Sequence, residues 1–414
     1  MKRHTWCAWV LSAMLLSGCG TQRDPLTQSE PAVPAAEMMQ LDVQGKDADA
    51  GFSVSQYRFA LELMRAVQRE KGQQNVMVSP YSVVQALAMT ANGAANQTRT
   101  EMEKVLGNGI SINDLNQYLY TWRTNQPADD SCQLHTANGI WINETIPQIK
   151  PLFAEQTRNF YAAGMKRAAF DKQTLLQINQ FVKKETDDMI PKILEELDPA
   201  AVTVLVNAVG FDAKWLEPYP SDKIKDGKFS NADGSESTVQ MMTGSESDYL
   251  KSEGTVGFLR YYDGPYAFAG ILPPEDVTLQ EWLDAQTPES LIAMIAGREE
   301  CAVSATMPAF SGDTEVQLET LLPGMGMPTA FSAAADFSCL ADGGMQISEV
   351  IHKTHIDVDA QGTKAAAATA VVMTRGADKV PKEEKTVRLD RPFVYMILDM
   401  HNELPVFIGT VNQL

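Results

Sequence analysis

Apolar residues recur at helical spacing early in the chain and in short runs of strand length later. Tyr57, Ala60, Leu61, Met64 and Val67 fall on one face, which predicts a helix behind the caps Ser53 and Ser55. A second stripe, Leu175, Ile178, Phe181, Val182 and Met189, follows Asp171 and predicts a helix that breaks near Pro191. From there the pattern changes. Residues 202–206, 239–242, 268–272, 302–307, 393–400 and 406–408 are apolar runs bounded by Gly, Pro or Asp, and predict strands. Helices first and strands later, without regular alternation, predict an α+β fold.

Ahead of this region the chain is built differently. Lys2 and Arg3 precede an apolar run from Trp6 to Leu16, the charged and hydrophobic order of an export signal, and the run is too short to span a bilayer. It ends in Leu16-Ser17-Gly18-Cys19, which resembles the bacterial lipobox, whose cysteine is acylated and becomes the mature N-terminus. The expectation is a signal over residues 1–18, a lipid on Cys19 and a place in the bacterial cell envelope, at the outer membrane on its periplasmic or its outer face, touching the bilayer through that lipid alone. Residues 19–50, rich in Gln, Pro, Ala, Ser and Asp, bury too little apolar surface to offset their ordering entropy and read as a tether. No repeat or long polar linker interrupts the rest of the chain, so residues 51–414 read as one domain.

Composition narrows the function classes. The 414 residues are 44% hydrophobic and 21% charged, enough for a large core, and the formal charge of −19 argues against a nucleic-acid partner. Cys132, Cys301 and Cys339 remain once Cys7 and Cys19 are set aside, an odd and widely spaced set that indicates neither a disulfide framework nor a zinc site, with one disulfide left open. His352 and His355 form an HxxH pair without the carboxylate or cysteine pattern that a metal site needs. Gly107-x-Gly109 and Gly324-x-Gly326 read as turns. With no GxSxG, HExxH or Walker loop, neither a cofactor nor catalysis is expected.

One segment stands apart, GTKAAAATAVV at residues 362–372. Its alanines favour a helical turn on local propensity. Its alternation favours an extended strand, with Thr363, Ala365, Ala367, Thr369 and Val371 on one face and Lys364 on the other. Small inward side chains are what a segment needs if it is to enter a packed sheet without clash or buried charge.

The stretch around it, ISEVIHKTHIDVDAQGTKAAAATAVV at residues 347–372, resembles the strand, hinge and proximal loop of the serpin family. Further matches run in order along the domain: NVMVSPYSVVQALAMTANGAANQT at 75–98, VLVNAVGFDAKW at 204–215, then MPAF, LETLLPGMGM and AFSAAADF within 307–337, and RPFVYMILDMHNELPVFIG at 391–409. The resemblance implies three β-sheets, about nine helices and an exposed reactive loop, in a monomer that inhibits proteases. A target protease cleaves the loop and forms an acyl-enzyme, and the loop then inserts into the central sheet, a release of stored strain.

Carried over position by position, the resemblance implies a hinge at Gly362, Thr363, Ala365, Ala366, Ala367, Ala368 and Thr369. It implies a polar shutter at Ser79, Ser82, Asn207 and His352, and a breach tryptophan at Trp215. Counting from Thr363 puts the scissile bond at Arg375 and Gly376, with Met373, Thr374 and Lys379 as rivals, and an arginine there suits trypsin-like enzymes. Two departures are visible. Ala360 stands where the family usually has a glutamate at the base of the loop, and residues 377–387 are longer than usual, with Lys379, Lys382, Glu383, Glu384 and Lys385 expected on a solvated loop. Two other readings are a non-inhibitory binding protein of the same fold, against which the small hinge residues argue, and a secreted hydrolase, against which the missing nucleophile motif argues.

Overall fold

The computed structural model describes residues 43–127, 132–363 and 384–414. The hinge residues Ala365, Ala366, Ala367, Ala368 and Thr369, the bond Arg375–Gly376 and Cys19 all lie outside the described residues.

The helix Ala50–Lys71 buries Tyr57, Ala60, Leu61, Met64 and Val67 as its apolar face requires. Its cap is Asp49, whose carboxylate accepts from Phe52 N at 2.9 Å, so the helix starts before Ser53 and Ser55, which lie inside it. The helix Lys172–Glu185 is capped by Asp171 and buries Ile178, Phe181 and Val182. It stops short of Met189, because Asp187 and Asp188 take left-handed backbone angles. Met189 is still buried, and its Sδ lies 2.5 Å from where a side chain on Gly210 would begin. The helix Pro80–Ala91 is buried along its whole length, with Ser79 as N-cap and Pro80 in the first turn.

Strands fill the second half and reach further than their apolar runs, for example Thr203–Lys214 and Glu236–Ser252. They form two hydrogen-bonded sheets among the described residues, one of nine strands and one of six. The larger sheet joins two parts of the expected three-sheet plan, because Glu236–Ser252 pairs with Ile224–Ser230 at one end and with Thr255–Tyr261 at the other. Lys385–Arg388 pairs in parallel with Glu299–Pro308, and Val387 is buried, so the end of the expected solvated loop belongs to this sheet.

The six-stranded sheet runs in the order Phe310–Gln317, Glu349–Val358, Gly362–Thr363, Thr203–Lys214, Cys132–Asn143, Gly164–Ala168. One apolar core lies between the two sheets, with Pro80–Ala91 running through it. A second lies between the six-stranded sheet and the helix Lys172–Glu185, where Trp141 meets Phe181 edge-on at 5.3 Å. The central strands are therefore covered on both faces, which explains the unbroken burial from Thr203 to Phe211.

Candidate functional site

Two long neighbours in the six-stranded sheet, Thr203–Lys214 and Glu349–Val358, run parallel. They pair directly from Glu349 opposite Val204 to His355 opposite Gly210. Beyond that they part, and the strand Gly362–Thr363 lies in the gap. Gly362 pairs antiparallel with Lys214, and Thr363 with Ala213 on one side and Val358 on the other. The described part of the sequence-predicted hinge thus stands as the first rung of a strand between two others. Thr363 is fully buried, and its Oγ1 shares a 2.7 Å hydrogen bond with Tyr262 OH. Gly362 has no room for a side chain, since a Cβ there would sit 2.1 Å from Ala213 O.

A tight turn delivers the hinge. Asp359 N donates to Gly362 O at 2.9 Å, and the Asp359 carboxylate accepts from Gln361 N at 2.6 Å and Gly362 N at 3.1 Å. Trp215, 2% exposed, grips the turn from the end of its own strand. Its backbone N donates to Gln361 O at 2.9 Å and its Nε1 to Asp359 O at 2.8 Å. The indole stacks on Tyr262 with ring centres 4.4 Å apart. Ala360 packs partly buried against the core in place of the expected glutamate.

Lower in the sheet, where the two strands still pair directly, the four sequence-predicted shutter residues meet. Ser79 N donates to His352 Nε2 at 3.0 Å. With Nε2 accepting, the ring proton resides on Nδ1, which donates to Asn207 Oδ1 at 2.6 Å. The Asn207 amide reaches Ser82 O at 2.9 Å, Ser82 Oγ at 2.5 Å and Asn138 Oδ1 at 2.6 Å. Ser79 Oγ donates to Val406 O at 2.8 Å, tying the group to the other sheet. Complete burial holds the His352 imidazole down at about 3, so the ring is neutral.

The sequence reading missed three members of this polar row. Asn138 stands opposite Asn207 on the next strand. Thr354, two residues past His352 on the same face, donates to Met77 O at 2.9 Å, and its register partner Thr314 accepts from Met77 N at 2.9 Å. The alternation His352, Thr354 was the available signal. His355, on the opposite face, meets Asp313 at 2.8 Å near the surface, and no group of metal-ligating side chains occurs among the described residues.

The arrangement is a sheet with one strand begun and a buried polar latch across the line along which it would have to open. Residues 54–414 match the model of the serpin (serine protease inhibitor) family. The chain belongs to that family, whose members are generally protease inhibitors rather than enzymes.

It is 28% identical over 366 residues to an alpha-1-antitrypsin-like protein of Tamias sibiricus, covering 85% of this chain and 86% of that one. It is 27% identical to alpha-1-antitrypsin 1-5 of Mus musculus, covering 92% and 94%. Among solved structures it is similar to the thermophilic serpin tengpin in its native state, with a TM-score of 0.83 and 38% identity over 90% of this chain and 98% of that one. Against the latent state of tengpin the TM-score is 0.79, at 38% identity over 90% and 100%. Thyroxine-binding globulin in complex with thyroxine shares the fold at a TM-score of 0.77 and 24% identity over 87% and 98%.

Proposed function

We propose that this chain is a suicide inhibitor of endopeptidases, of trypsin-like specificity through Arg375. The protease serine attacks the carbonyl of Arg375, the amine of Gly376 leaves, and an ester links the chain to the enzyme. The freed segment after Thr363 then runs into the sheet before water resolves that ester. The observation that carries this reading is the pairing of Gly362 and Thr363 between strands that run directly together only a few residues further on. A strand already begun, followed in sequence by small residues, is what insertion requires.

Incubation of the mature protein with a trypsin-like protease should give a complex that survives boiling in detergent. Cleavage of the loop with no such complex would sink the inhibitory reading and leave the binding-protein alternative, which thyroxine-binding globulin illustrates within this fold. We further propose that Cys19 carries the envelope anchor. An acylated N-terminal cysteine in the mass spectrum of the mature chain is the expected result, and an unmodified Cys19 the contrary one.

A further inference from the structure

Arg260 is an unexpected residue to find under the breach. It lies on Thr255–Tyr261, in the nine-stranded sheet, and forms a buried ion pair with Glu246, the two side chains being 6% and 8% exposed. Its Nη2 also donates to Glu217 O. The guanidinium lies 3.7 Å from the centre of the Tyr219 ring and 5.0 Å from that of Trp215. Gly244 makes room for the pair, since a Cβ there would come within 2.8 Å of Arg260 Nη1 and of the Glu246 carboxylate.

A buried ion pair is a poor way to gain stability, because desolvation offsets most of its attraction. Burial pushes the Glu246 carboxyl up, against the pull of the arginine. What the pair does supply is position. Arginine offers a planar fork and a stacking face, and here it uses both on one short segment, Trp215 to Tyr219.

That segment holds the hinge turn by three successive carbonyls. Trp215 Nε1 donates to Asp359 O at 2.8 Å, Tyr219 N to Ala360 O at 2.9 Å, and Trp215 N to Gln361 O at 2.9 Å. Ala360 brings no charge of its own to this contact; the Asp359 carboxylate holds the turn from within, and the Arg260–Glu246 pair stands behind the Trp215–Tyr219 segment on the opposite sheet.

We infer that Arg260, braced by Glu246, is a positioning residue for the hinge: it fixes the Trp215–Tyr219 segment that holds the 359–361 turn, and so keeps the Gly362–Thr363 rung ready for extension. The inference rests on the loop-insertion reading above.

The test uses the intact chain and a protease that nicks the loop without being trapped, and follows the growth of a heat-resistant form after the cut. In the parent protein this form should appear promptly. In Arg260→Met it should appear about tenfold more slowly, while its final melting temperature matches that of the cut parent. Glu246→Gln, which keeps the shape and removes the charge, should also slow it, and it serves if the methionine variant does not fold. Equal rates in variants and parent would overturn the inference. So would a loss of melting temperature shared by cut and uncut forms with the rate unchanged, which is the mark of a merely structural pair. If the parent gains no heat resistance at all, the loop-insertion reading itself fails and takes this one with it.

Discussion

His352 and Asn207 stand opposite each other in the parallel pairing of the two central strands, and the imidazole Nδ1 donates to the amide oxygen across a gap of 2.6 Å. The bond bridges the line along which those strands must part if another is to come between them. The neutral ring takes one hydrogen bond from Ser79 and gives one to Asn207, so both nitrogens are satisfied without a charge.

Asn207→Ala leaves a buried N–H on His352 without an acceptor and takes a donor away from Ser82 and Asn138. The expected cost is about 2–3 kcal/mol, read as a lower urea midpoint with an unchanged slope. A loss below about 0.5 kcal/mol, well under that range, would mean that the latch contributes little.

The same ring predicts how stability varies with acid. Its folded value is depressed to about 3 from an ordinary 6.5 by burial, so the unfolded chain takes up a proton first as the pH falls. The contribution is complete above about pH 6.5 and is lost on the way down to about 3, at up to about 1.4 kcal/mol per pH unit. Unfolding midpoints taken between about pH 6 and 4.5 should therefore fall more steeply for the parent than for His352→Gln, and parallel slopes would refute the assignment.

At the hinge, a buried charge or added bulk should impair entry, and loss of a hydroxyl should not. Thr363→Arg forces a cation into a fully buried position against Tyr262, so loop entry should slow and the protein should be cut as a substrate instead of trapping its protease. Thr363→Val removes only the hydroxyl, at about 1 kcal/mol, and should keep trapping. Gly362→Ala should resemble the arginine variant, because the atom in its way is the backbone oxygen of Ala213. Gel analysis of complex against cleaved product ranks all three, and unimpaired trapping by Thr363→Arg would count against the hinge.

Continuing the antiparallel register that begins at Gly362 and Thr363 brings Thr369 opposite Asn207 on one side and His352 on the other. Entry of the strand must break the His352–Asn207 bond, and the Thr369 hydroxyl then arrives where both groups need a partner. Thr369→Ala should lower the stability of the cleaved form by about 1–3 kcal/mol and leave the uncut form unchanged in thermal melts. An equal effect on both forms would mean that the register does not continue.

Much of this was legible in the residues and some was not. The helical stripes were plain, because burial of one face at a spacing of 3.6 leaves a strong signal. Their ends were not: Asp49 caps where Ser53 and Ser55 were equally eligible, and only backbone angles at Asp187 and Asp188 separate Met189 from its helix. Strands were under-read wherever a polar residue serves the interior or faces solvent, as with Asn207 in Thr203–Lys214 and the polar second half of Glu236–Ser252. The shutter quartet was found by resemblance to a family. Asn138, Thr314 and Thr354 escaped because their role depends on register across strands distant in sequence. No pattern along the chain marks Arg260 and Glu246 as a buried pair; it is the fold that places them under Trp215.

The rung formed by Gly362 and Thr363 bears on kinetics as well as on geometry. Starting a new strand between two old ones is the slow, entropically unfavourable part of sheet growth, and here that start is complete before any bond is cut. On the proposed mechanism only propagation remains after cleavage, one residue at a time, and from His355 to Glu349 each step exchanges a parallel rung for two antiparallel ones. The chain then competes with deacylation by the speed of a zipper already engaged, and that zipper must break the side-chain bond between His352 and Asn207 on its way.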